Sequence, residues 1–357
     1  MPAVTTPSHA WHLSLQDQAV REHIPLCGTL ELTYRCNLNC LHCYCNEPAA
    51  VAREQELATA EWCAIIDQIA ELGGLWLLVT GGECLLRHDF KELWIHAKKR
   101  GLLLTLFTNG TRITAELAQF LGHWPPYSVE VTLYGATEAT SAAVTRTRGS
   151  LSAALAGIEY LCQQGIRPKL KTMVLRQNHA ELAAMKAIAE RLGLEFRFDA
   201  QPHARPGAER DAMAEFRLCP EQVAALDRND PGRWQALCDF TAGRSTDQDP
   251  PPLFSCSAGL SSYHITPSGS LQLCGMIPAL AWDLRRGSFT DGWRHALPRL
   301  RQTPVEASPC LVCEDFALCN QCPGWSTVEH NQLLKPVDFL CQVTKERARL
   351  LAAACPT

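Results

Sequence analysis

Apolar residues along this chain recur in two alternating patterns, which predict strands separated by helices. Short apolar runs bounded by glycine or polar residues indicate buried strands. We predict helices from apolar residues at helical spacing between these runs. The alternation favours a parallel sheet that curls into part of a (β/α) barrel. The predicted strands are 29–33, 76–80, 102–108, 129–134, 169–175 and 195–199, and the predicted helices are 59–72, 90–100, 151–164 and 181–192.

The second half of the chain has a different pattern. Residues 241–252 are polar and rich in proline, which is typical of a linker. From Leu253 onward, cysteine is frequent and long apolar runs are few, so we expect metal clusters, not a large apolar core, to hold this part together. A hairpin is predicted at 263–271 around Pro267-Ser268-Gly269, and a terminal helix at 339–354.

These patterns divide the chain into five parts. The first is an extension that packs on the barrel, and the barrel itself follows. A helical bridge with the linker leads into a small cysteine-rich domain, and the end of the terminal helix closes the chain. The predicted boundaries are 1–26, 27–215, 216–252, 253–345 and 346–357.

Composition excludes several classes of function. The 357 residues are 46% hydrophobic with a net charge of −4, as in an ordinary soluble protein. No basic stripe indicates a nucleic-acid partner, and no run of about 18 apolar residues could cross a membrane. Residues 1–10 have no secretion signal, so we expect a cytoplasmic protein. In that reducing compartment, 18 cysteines indicate ligands of metals or clusters and not disulfides.

Three cysteines follow the first predicted strand with the spacing Cys36-x3-Cys40-x2-Cys43. Three soft thiolates on one loop suit an iron–sulfur cluster, and a four-iron cluster then keeps one iron open. A closed zinc site is the alternative and would need a fourth ligand nearby. Cys45 is close in sequence, but we expect it to point away from the other three.

The cysteine spacing, together with Gly81-Gly82-Glu83 after the second strand, resembles the radical S-adenosylmethionine (SAM) superfamily. This resemblance implies a partial (β/α)6 TIM-type barrel with its site at the C-terminal ends of the strands. It also implies a [4Fe–4S] cluster on Cys36, Cys40 and Cys43 whose open iron binds SAM. Reductive cleavage of SAM would yield a 5′-deoxyadenosyl radical that takes a hydrogen atom from the substrate. An external flavodoxin or ferredoxin would supply the electron.

The resemblance also implies contacts to SAM. The two glycines would approach its methionine part, a threonine its ribose or carboxylate, an arginine the same carboxylate, and a histidine its adenine. For the histidine and the arginine, simple loop packing and a solvated loop position remain the alternatives. No catalytic acid or base stands out. The candidate SAM-binding residues are His42, Gly81, Gly82, Glu83, Asn109, Thr132 and Arg146.

A second cysteine array resembles the SPASM domain of peptide-maturing radical SAM enzymes, which carries two auxiliary [4Fe–4S] clusters. The implied ligands are Cys256, Cys274 and Cys322 for the first cluster, and Cys310, Cys313, Cys319 and Cys341 for the second, which makes three clusters in all. Two zinc sites are the alternative.

The array departs from the family pattern at three places. Only Asn320 and Gln321 separate Cys319 from Cys322, where the family usually has three residues. No cysteine occurs in 257–262. The fourth iron of the first auxiliary cluster is therefore left open, or is bound by His264 or by the substrate. Gly275 stands where sulfatase-maturing relatives have an aspartate base, which argues against that activity.

The function implied is modification of a ribosomally synthesised peptide, with a new thioether or carbon–carbon bond. Action on a small molecule such as a tetrapyrrole, by oxidative decarboxylation, is the first alternative. A non-enzymatic electron-transfer or cluster-carrier protein is the second.

Overall fold

The computed structural model describes residues 8–45, 56–209, 212–243, 254–302 and 308–354. Strands and helices alternate through its first two thirds, as the apolar pattern predicts. The strands are β1 (Cys27–Glu31), β2 (Trp76–Thr80), β3 (Leu103–Thr108), β4 (Ser128–Thr132), β5 (Lys169–Met173), β6 (Phe196–Asp199), β7 (Ser262–Ile265), β8 (Ser270–Gln272) and β9 (Ala281–Asp283).

Helices cover the outer face of this sheet. A π-helical turn, Gly292–Ala296, joins the tenth helix to the eleventh. Among the described residues the helices are α1 (Ser8–Glu22), α2 (Thr59–Glu71), α3 (Phe90–Lys99), α4 (Ala115–His123), α5 (Glu138–Thr145), α6 (Ser150–Gln163), α7 (Leu182–Arg191), α8 (Pro220–Asn229), α9 (Pro231–Gly243), α10 (Phe289–Asp291), α11 (Leu297–Arg301), α12 (Pro323–His330) and α13 (Asp338–Ala354). None of these is long and apolar enough to cross a membrane.

The sheet has nine strands in the order β6-β5-β4-β3-β2-β1-β7-β8-β9. Strands β1 to β6 are parallel, which confirms the predicted α/β class. The predicted hairpin forms β7 and β8, and Gly269 takes a left-handed φ of 86° in its turn. Strand β7 pairs in parallel with β1, from Cys27 opposite Ser262 to Leu30 opposite Ile265. The C-terminal hairpin therefore extends the barrel sheet itself.

Alternate residues of the barrel strands point toward the helices and are buried there. Leu30, Leu77, Leu104, Val131 and Leu170 are at most 1% exposed. A buried leucine or valine side chain contributes about 1.5–3 kcal/mol of apolar burial, so this layer is the main source of stability. The intervening residues face the interior of the barrel, where the functional groups lie.

The C-terminal part contributes apolar side chains to this same core. The expectation that metal clusters and not an apolar core hold this part together is therefore wrong for residues 254–297. Tyr263 packs edge-on against Phe289 and Trp293, at 5.0 and 5.7 Å between ring centroids. His23, just after α1, stacks on Trp293 at 4.7 Å. The domain boundaries stay a prediction, and most of the expected linker (residues 244–252) lies outside the described residues.

Candidate active site

The predicted cysteine loop follows β1 and lies at the C-terminal ends of β1 to β4. Cys36, Cys40 and Cys43 line one cavity of about 170 Å³. Burial, and then the charges of Cys43 and Cys36, raise the pKa of Cys40 to about 12. Burial likewise raises the pKa of Cys36 to about 11. The structure thus brings the three predicted ligands together, close enough for their charges to affect one another's pKa.

Neighbouring backbone groups hold the cysteine loop in place. The amides of Asn39 and Leu41 donate to the carbonyls of Thr145 and Val144, both at 3.0 Å. These carbonyls lie at the C-terminal end of α5, so α5 fixes the middle of the loop.

The start of the loop is fixed by the Gly81-Gly82-Glu83 segment. The amide of Gly82 donates to Thr33 at 2.7 Å, and that of Glu83 donates to Arg35 at 2.8 Å. A Cβ atom at Gly81 would lie 2.2 Å from the Thr33 carbonyl oxygen, and one at Gly82 would lie 2.5 Å from that of Arg35. Both glycines are therefore required for the loop to cross the end of β2, and both line the cavity.

Glu83 lies below the cavity and does not line it. Its carboxylate is 1% exposed and accepts hydrogen bonds from the Thr108 hydroxyl, at 2.9 and 3.0 Å, and from the Asn109 amide at 2.9 Å. Burial raises its pKa above the ordinary value. The Asn109 side chain in turn lies 3.8 Å from the Cys36 sulfur and 3.1 Å from Asn37. Glu83 therefore joins β2 to β3 and positions Asn109 against the cysteine loop.

The other candidate SAM-binding residues have different positions. Thr132 and His42 line the cavity, whereas Arg146 is exposed just after α5 and does not. The ring of His42 lies 5.6 Å from that of Tyr134, and its buried Nδ1 has no hydrogen-bond partner among the described residues. Burial, followed by the charge of His203, lowers the pKa of His42 to about 4, so its imidazole is neutral at pH 7.

Sequence reasoning missed Lys171, which enters the same cavity from β5. Its ammonium lies 3.0 Å from the ring centroid of Phe107 and 3.3 Å from the Glu130 carboxylate. Burial lowers the pKa of Lys171 to about 8. The signal was present in the sequence, because alternation along β5 places Lys171 on the same face as Lys169 and Met173.

Cys45 also lines the cavity, contrary to the expectation that it points away. It is 6% exposed, and its sulfur lies 3.8 Å from that of Cys43. Tyr44 lies between them, lines the same cavity, and donates its hydroxyl to Glu31 at 2.9 Å. The two thiols are therefore close neighbours at this cavity.

A larger cavity of about 500 Å³ adjoins the first. Barrel residues such as Thr29, Phe107 and Glu130 line it together with Cys256 and Cys274 of the C-terminal part. Phe107 lines both cavities, and the pair formed by Glu130 and Lys171 joins their walls.

His264 lines this larger cavity and belongs to a chain of polar contacts that leads to the cysteine loop. Its Nε2 lies 3.1 Å from the carboxylate of Glu31, which is 1% exposed. The other oxygen of the same carboxylate accepts from Tyr44. The ring of His264 also packs against Gly275, where a Cβ would lie 2.9 Å away. A side chain at the position where sulfatase-maturing relatives have their aspartate would therefore displace the His264 ring.

Electrostatic effects on their pKa values link the C-terminal cysteines within each of the two predicted groups. Burial raises the pKa of Cys274, and the charges of Cys322 and Cys256 raise it further. Burial also raises the pKa of Cys341, which the charges of Cys319, Cys310 and Cys313 then raise further. Cys322 is additionally affected by Cys319, so the two groups are neighbours.

The donor chemistry of the first cavity fits an iron–sulfur cluster. Its lining contains four thiols and one neutral imidazole, and no carboxylate among the described residues. Soft sulfur donors of this kind select iron–sulfur clusters. Within the same described ranges, no three His, Cys, Asp or Glu side chains are arranged around a single metal ion. Three cysteines that line one cavity without forming a single-ion site fit an iron–sulfur cluster.

Comparisons with known proteins agree with this site. A model of the radical SAM superfamily matches residues 30–187, which include the cysteine loop and every candidate SAM-binding residue. The mycofactocin maturase MftC of Mycolicibacterium smegmatis is 31% identical over 309 residues, which cover 83% of this chain and 77% of that protein. The chain belongs to the radical SAM superfamily.

Two further relatives are named for different reactions, one on a peptide and one in heme synthesis. The PqqA peptide cyclase of Xanthomonas campestris pv. campestris (strain 8004) is 29% identical and covers 92% of this chain and 90% of its own length. The AdoMet-dependent heme synthase of Methanosarcina barkeri is 28% identical, and the match covers 82% of this chain and 89% of that protein. Both matches extend well beyond residues 30–187, into the cysteine-rich C-terminal part.

The fold is shared with solved radical SAM structures. The crystal structure of Streptococcus suis SuiB bound to the precursor peptide SuiA superposes with a TM-score of 0.64 at 15% identity, and covers 90% of this chain and 78% of that chain. The predicted family and fold class are thus confirmed. The protein is an enzyme of this superfamily and uses SAM with an iron–sulfur cluster.

Proposed function

We propose that this enzyme abstracts a hydrogen atom from a ribosomally synthesised peptide and installs a thioether, a carbon–carbon link or a related modification. Two relatives whose names refer to maturation or peptide cyclisation support this proposal, because each is matched over more than three quarters of its length. The match extends over the C-terminal part as well as the barrel, so it concerns the whole arrangement and not the SAM site alone.

The larger cavity is the observation that carries this proposal. Its volume of about 500 Å³ suits a few side chains of an extended peptide. It shares Phe107 with the cavity of Cys36, Cys40 and Cys43, and it also contacts Cys256 and Cys274. A substrate held there lies between the SAM site and the first group of C-terminal cysteines.

Each part of the site has a role in this function. Cys36, Cys40 and Cys43 would hold the SAM-binding cluster. When bound, the cluster and SAM supply a 5′-deoxyadenosyl radical as the hydrogen-abstracting species. The methionine, ribose and adenine of SAM would be held by Gly81, Gly82, Thr132 and His42. Asn109 and Glu83 would position the cysteine loop. Arg146 could contact SAM only by reaching in from the surface.

The polar groups around the larger cavity orient the substrate and handle its charge. Lys171 provides a half-buried ammonium beside the cavity wall, and Glu130 balances its charge. Because Glu31 links Tyr44 to His264, the cysteine loop is held to β7 by hydrogen bonds. Closely packed walls of this kind exclude water and prevent the reactive species from attacking other groups.

Two auxiliary [4Fe–4S] clusters complete the proposal, for a total of three. Cys256, Cys274 and Cys322 would hold the first, and the electron left on the substrate after bond formation would go to this group. The second would be held by Cys310, Cys313, Cys319 and Cys341. An external flavodoxin or ferredoxin would reduce the enzyme.

Action on a tetrapyrrole is the second candidate. The match to the AdoMet-dependent heme synthase of Methanosarcina barkeri, which covers 89% of that protein, favours it. Oxidative decarboxylation needs a site for negatively charged propionate groups, and Lys171 is a half-buried cation that could bind one. A mere carrier of clusters or electrons has no use for the glycine-lined cavity beside the cysteine loop.

Mass spectrometry distinguishes the two enzymatic candidates. The enzyme is co-expressed with a short peptide from the adjacent open reading frame, and in parallel the purified enzyme is incubated with SAM, dithionite and an iron-coproporphyrin. A peptide that becomes lighter by two hydrogen atoms supports the peptide proposal. An unchanged peptide together with a porphyrin that loses carboxyl groups contradicts it and selects the alternative.

A further inference from the structure

The cysteine loop contains one more thiol at its cavity than the superfamily's cluster requires. Cys45 is 6% exposed and lines the cavity with Cys36, Cys40 and Cys43. A buried thiol is common in proteins and needs no function. The position of this one is unusual, because its sulfur lies 3.8 Å from the sulfur of Cys43.

This distance has a specific meaning for metal binding. Each iron of a four-iron cluster takes one external thiolate, at about 2.3 Å, so two sulfurs 3.8 Å apart can serve the same iron only in turn. Thiolates on different irons of a four-iron cluster are held farther apart, because a whole edge of the cluster separates their irons. Cys43 and Cys45 are therefore placed for the same iron and not for two different ones.

We propose that Cys45 is an alternative ligand for the iron that Cys43 holds. The iron binds one of the two thiolates at a time, and the other remains beside it. The exchange replaces one thiolate with another, so the charge and the oxidation state of the cluster stay the same. The proton of the entering thiol passes to the leaving thiolate, 3.8 Å away.

The surrounding contacts permit this exchange. The Tyr44 hydroxyl donates to Glu31, so the residue between the two cysteines is anchored while both thiols line the cavity. Cys36 and Cys40 have no such neighbour among the described thiols that line the cavity. Cys84, the next buried thiol along the chain, contacts the Phe107 carbonyl at 3.7 Å and does not line the cavity. Only one of the three irons thus has a second thiolate within reach in the described part of the chain.

Single and double alanine variants of the full-length chain test the proposal. Each is reconstituted anaerobically, its iron and acid-labile sulfide are assayed, and the reduced protein is examined by electron paramagnetic resonance with and without SAM. SAM binds at the cluster of the cysteine loop, so the signal that changes when SAM is added is expected to come from this cluster.

Cys43→Ala should keep the iron content of the parent and a signal that responds to SAM. Cys45→Ala should also keep both, because Cys43 remains. The double variant should lose about four irons and the whole SAM response, as should Cys36→Ala or Cys40→Ala. Cys84→Ala serves as the matched control and should resemble the parent.

Two results would overturn the proposal. In the first, Cys43→Ala loses as much iron as Cys36→Ala and no longer responds to SAM. In the second, Cys45→Ala alone loses the cluster, which would make this thiol obligatory and not alternative. Circular dichroism and the signals that do not respond to SAM check that each variant is folded. The test does not depend on which substrate the enzyme uses.

Discussion

At the scale of single residues, the glycines after β2 determine how closely the cysteine loop can approach the end of that strand. In sequence, Gly81 and Gly82 predict a close approach of backbone to SAM. In the structure, the space of their missing side chains is taken by the carbonyls of Thr33 and Arg35. The motif therefore matters first for the shape of the loop, and through that loop for the cluster.

Gly81→Ala is expected to displace the loop and weaken SAM binding. Its Cβ would lie 2.2 Å from the Thr33 oxygen, and its φ of 131° is strained for any other residue, at about 1–3 kcal/mol. We expect a lower melting temperature and at least a tenfold weaker affinity for SAM, measured by equilibrium binding to the reconstituted enzyme. Gly101→Ala is the control, because Gly101 also has a positive φ (84°) but nothing lies within 4 Å of its Cβ position. Equal SAM affinity in both variants would contradict this explanation.

Lys171 should make stability depend on pH. Burial lowers its pKa from 10.5 to about 8. Between these values the unfolded chain binds more protons at this group than the folded chain, so the free energy of unfolding rises with pH across this window. The penalty for burying the charge is complete below pH 8 and disappears as the ammonium deprotonates.

Comparison of melting temperatures at pH 7.5 and 9.5 tests this expectation. Lys171→Met should remove this upward contribution to stability, whereas Lys186→Met, on the exposed side of α7, should leave it in place. If Lys171→Met and the parent change with pH in parallel, the buried ammonium does not titrate in this range.

At the scale of elements, most of the barrel can be predicted from sequence. Alternating apolar runs predict β2 at its observed bounds and the other strands to within a few residues, because each strand buries one face under helices. Helices α4 and α5 were missed although Thr114 and Thr137 cap them, with hydroxyls that accept from Leu117 and Thr140. Their apolar faces are too short to give a clear period.

Other features cannot be predicted from local patterns at all. The pairing of β7 with β1 joins segments more than 200 residues apart, and no local signal specifies that partner. The position of Cys45 depends on Tyr44 being held by Glu31, which is a tertiary contact. The cysteine spacing of the loop therefore predicted the cavity of Cys36, Cys40 and Cys43, whereas the position of Cys45 and the pairing of β7 with β1 depend on tertiary contacts that no local pattern specifies.

Helix α5 connects the cysteine loop to Glu181 at the start of α7. The Glu181 carboxylate accepts hydrogen bonds from the amides of Ala136 and Thr137 at 2.7 and 3.1 Å and from the Thr140 hydroxyl at 2.7 Å. It thus holds the N-terminal end of α5, whose other end binds the amides of Asn39 and Leu41.

Glu181→Ala should destabilise α5 by about 1 kcal/mol, as for the loss of a helix cap. The expected result is faster hydrogen exchange at the amides of Asn39 and Leu41, far from the substitution in sequence. Glu190→Ala, at an exposed position of α7, is the control and should leave these amides unchanged. Unaltered exchange in Glu181→Ala would show that the cysteine loop does not depend on α5.

At the scale of the whole molecule, the C-terminal region consists of two parts that are stabilised differently. Residues 254–297 bury Tyr263, Phe289 and Trp293 in the core of the barrel, so an apolar interior holds them. The described residues from 308 to 337 lie outside that core cluster apart from a contact by Leu333. This second part contains the cysteines proposed for the second auxiliary cluster, with Cys341 in α13.

Helix α13 has its own attachment to the barrel side of the molecule. Val343 packs in a small core with Val223, and Arg347 forms a buried ion pair with Asp227 of α8 at 2.6 Å. Arg217 and Glu329 form another buried pair between the bridge and α12. Because none of these contacts involves a cysteine, we expect them to hold α13 whether or not a cluster is bound.

Cys341→Ala should therefore loosen the middle of the cysteine-rich part and spare both its neighbours. If a cluster joins Cys341 to Cys310, Cys313 and Cys319, its loss opens a loop that little apolar burial compensates. Limited proteolysis of the variant should cut between residues 308 and 337, while 254–302 stays with the barrel and α13 stays associated. Cys162→Ala, a half-buried thiol of α6 far from these groups in sequence, is the control. Protease resistance equal to that of the parent would mean that packing alone holds this segment, whereas release of α13 would mean that its ion pair with Asp227 is not sufficient without the cluster.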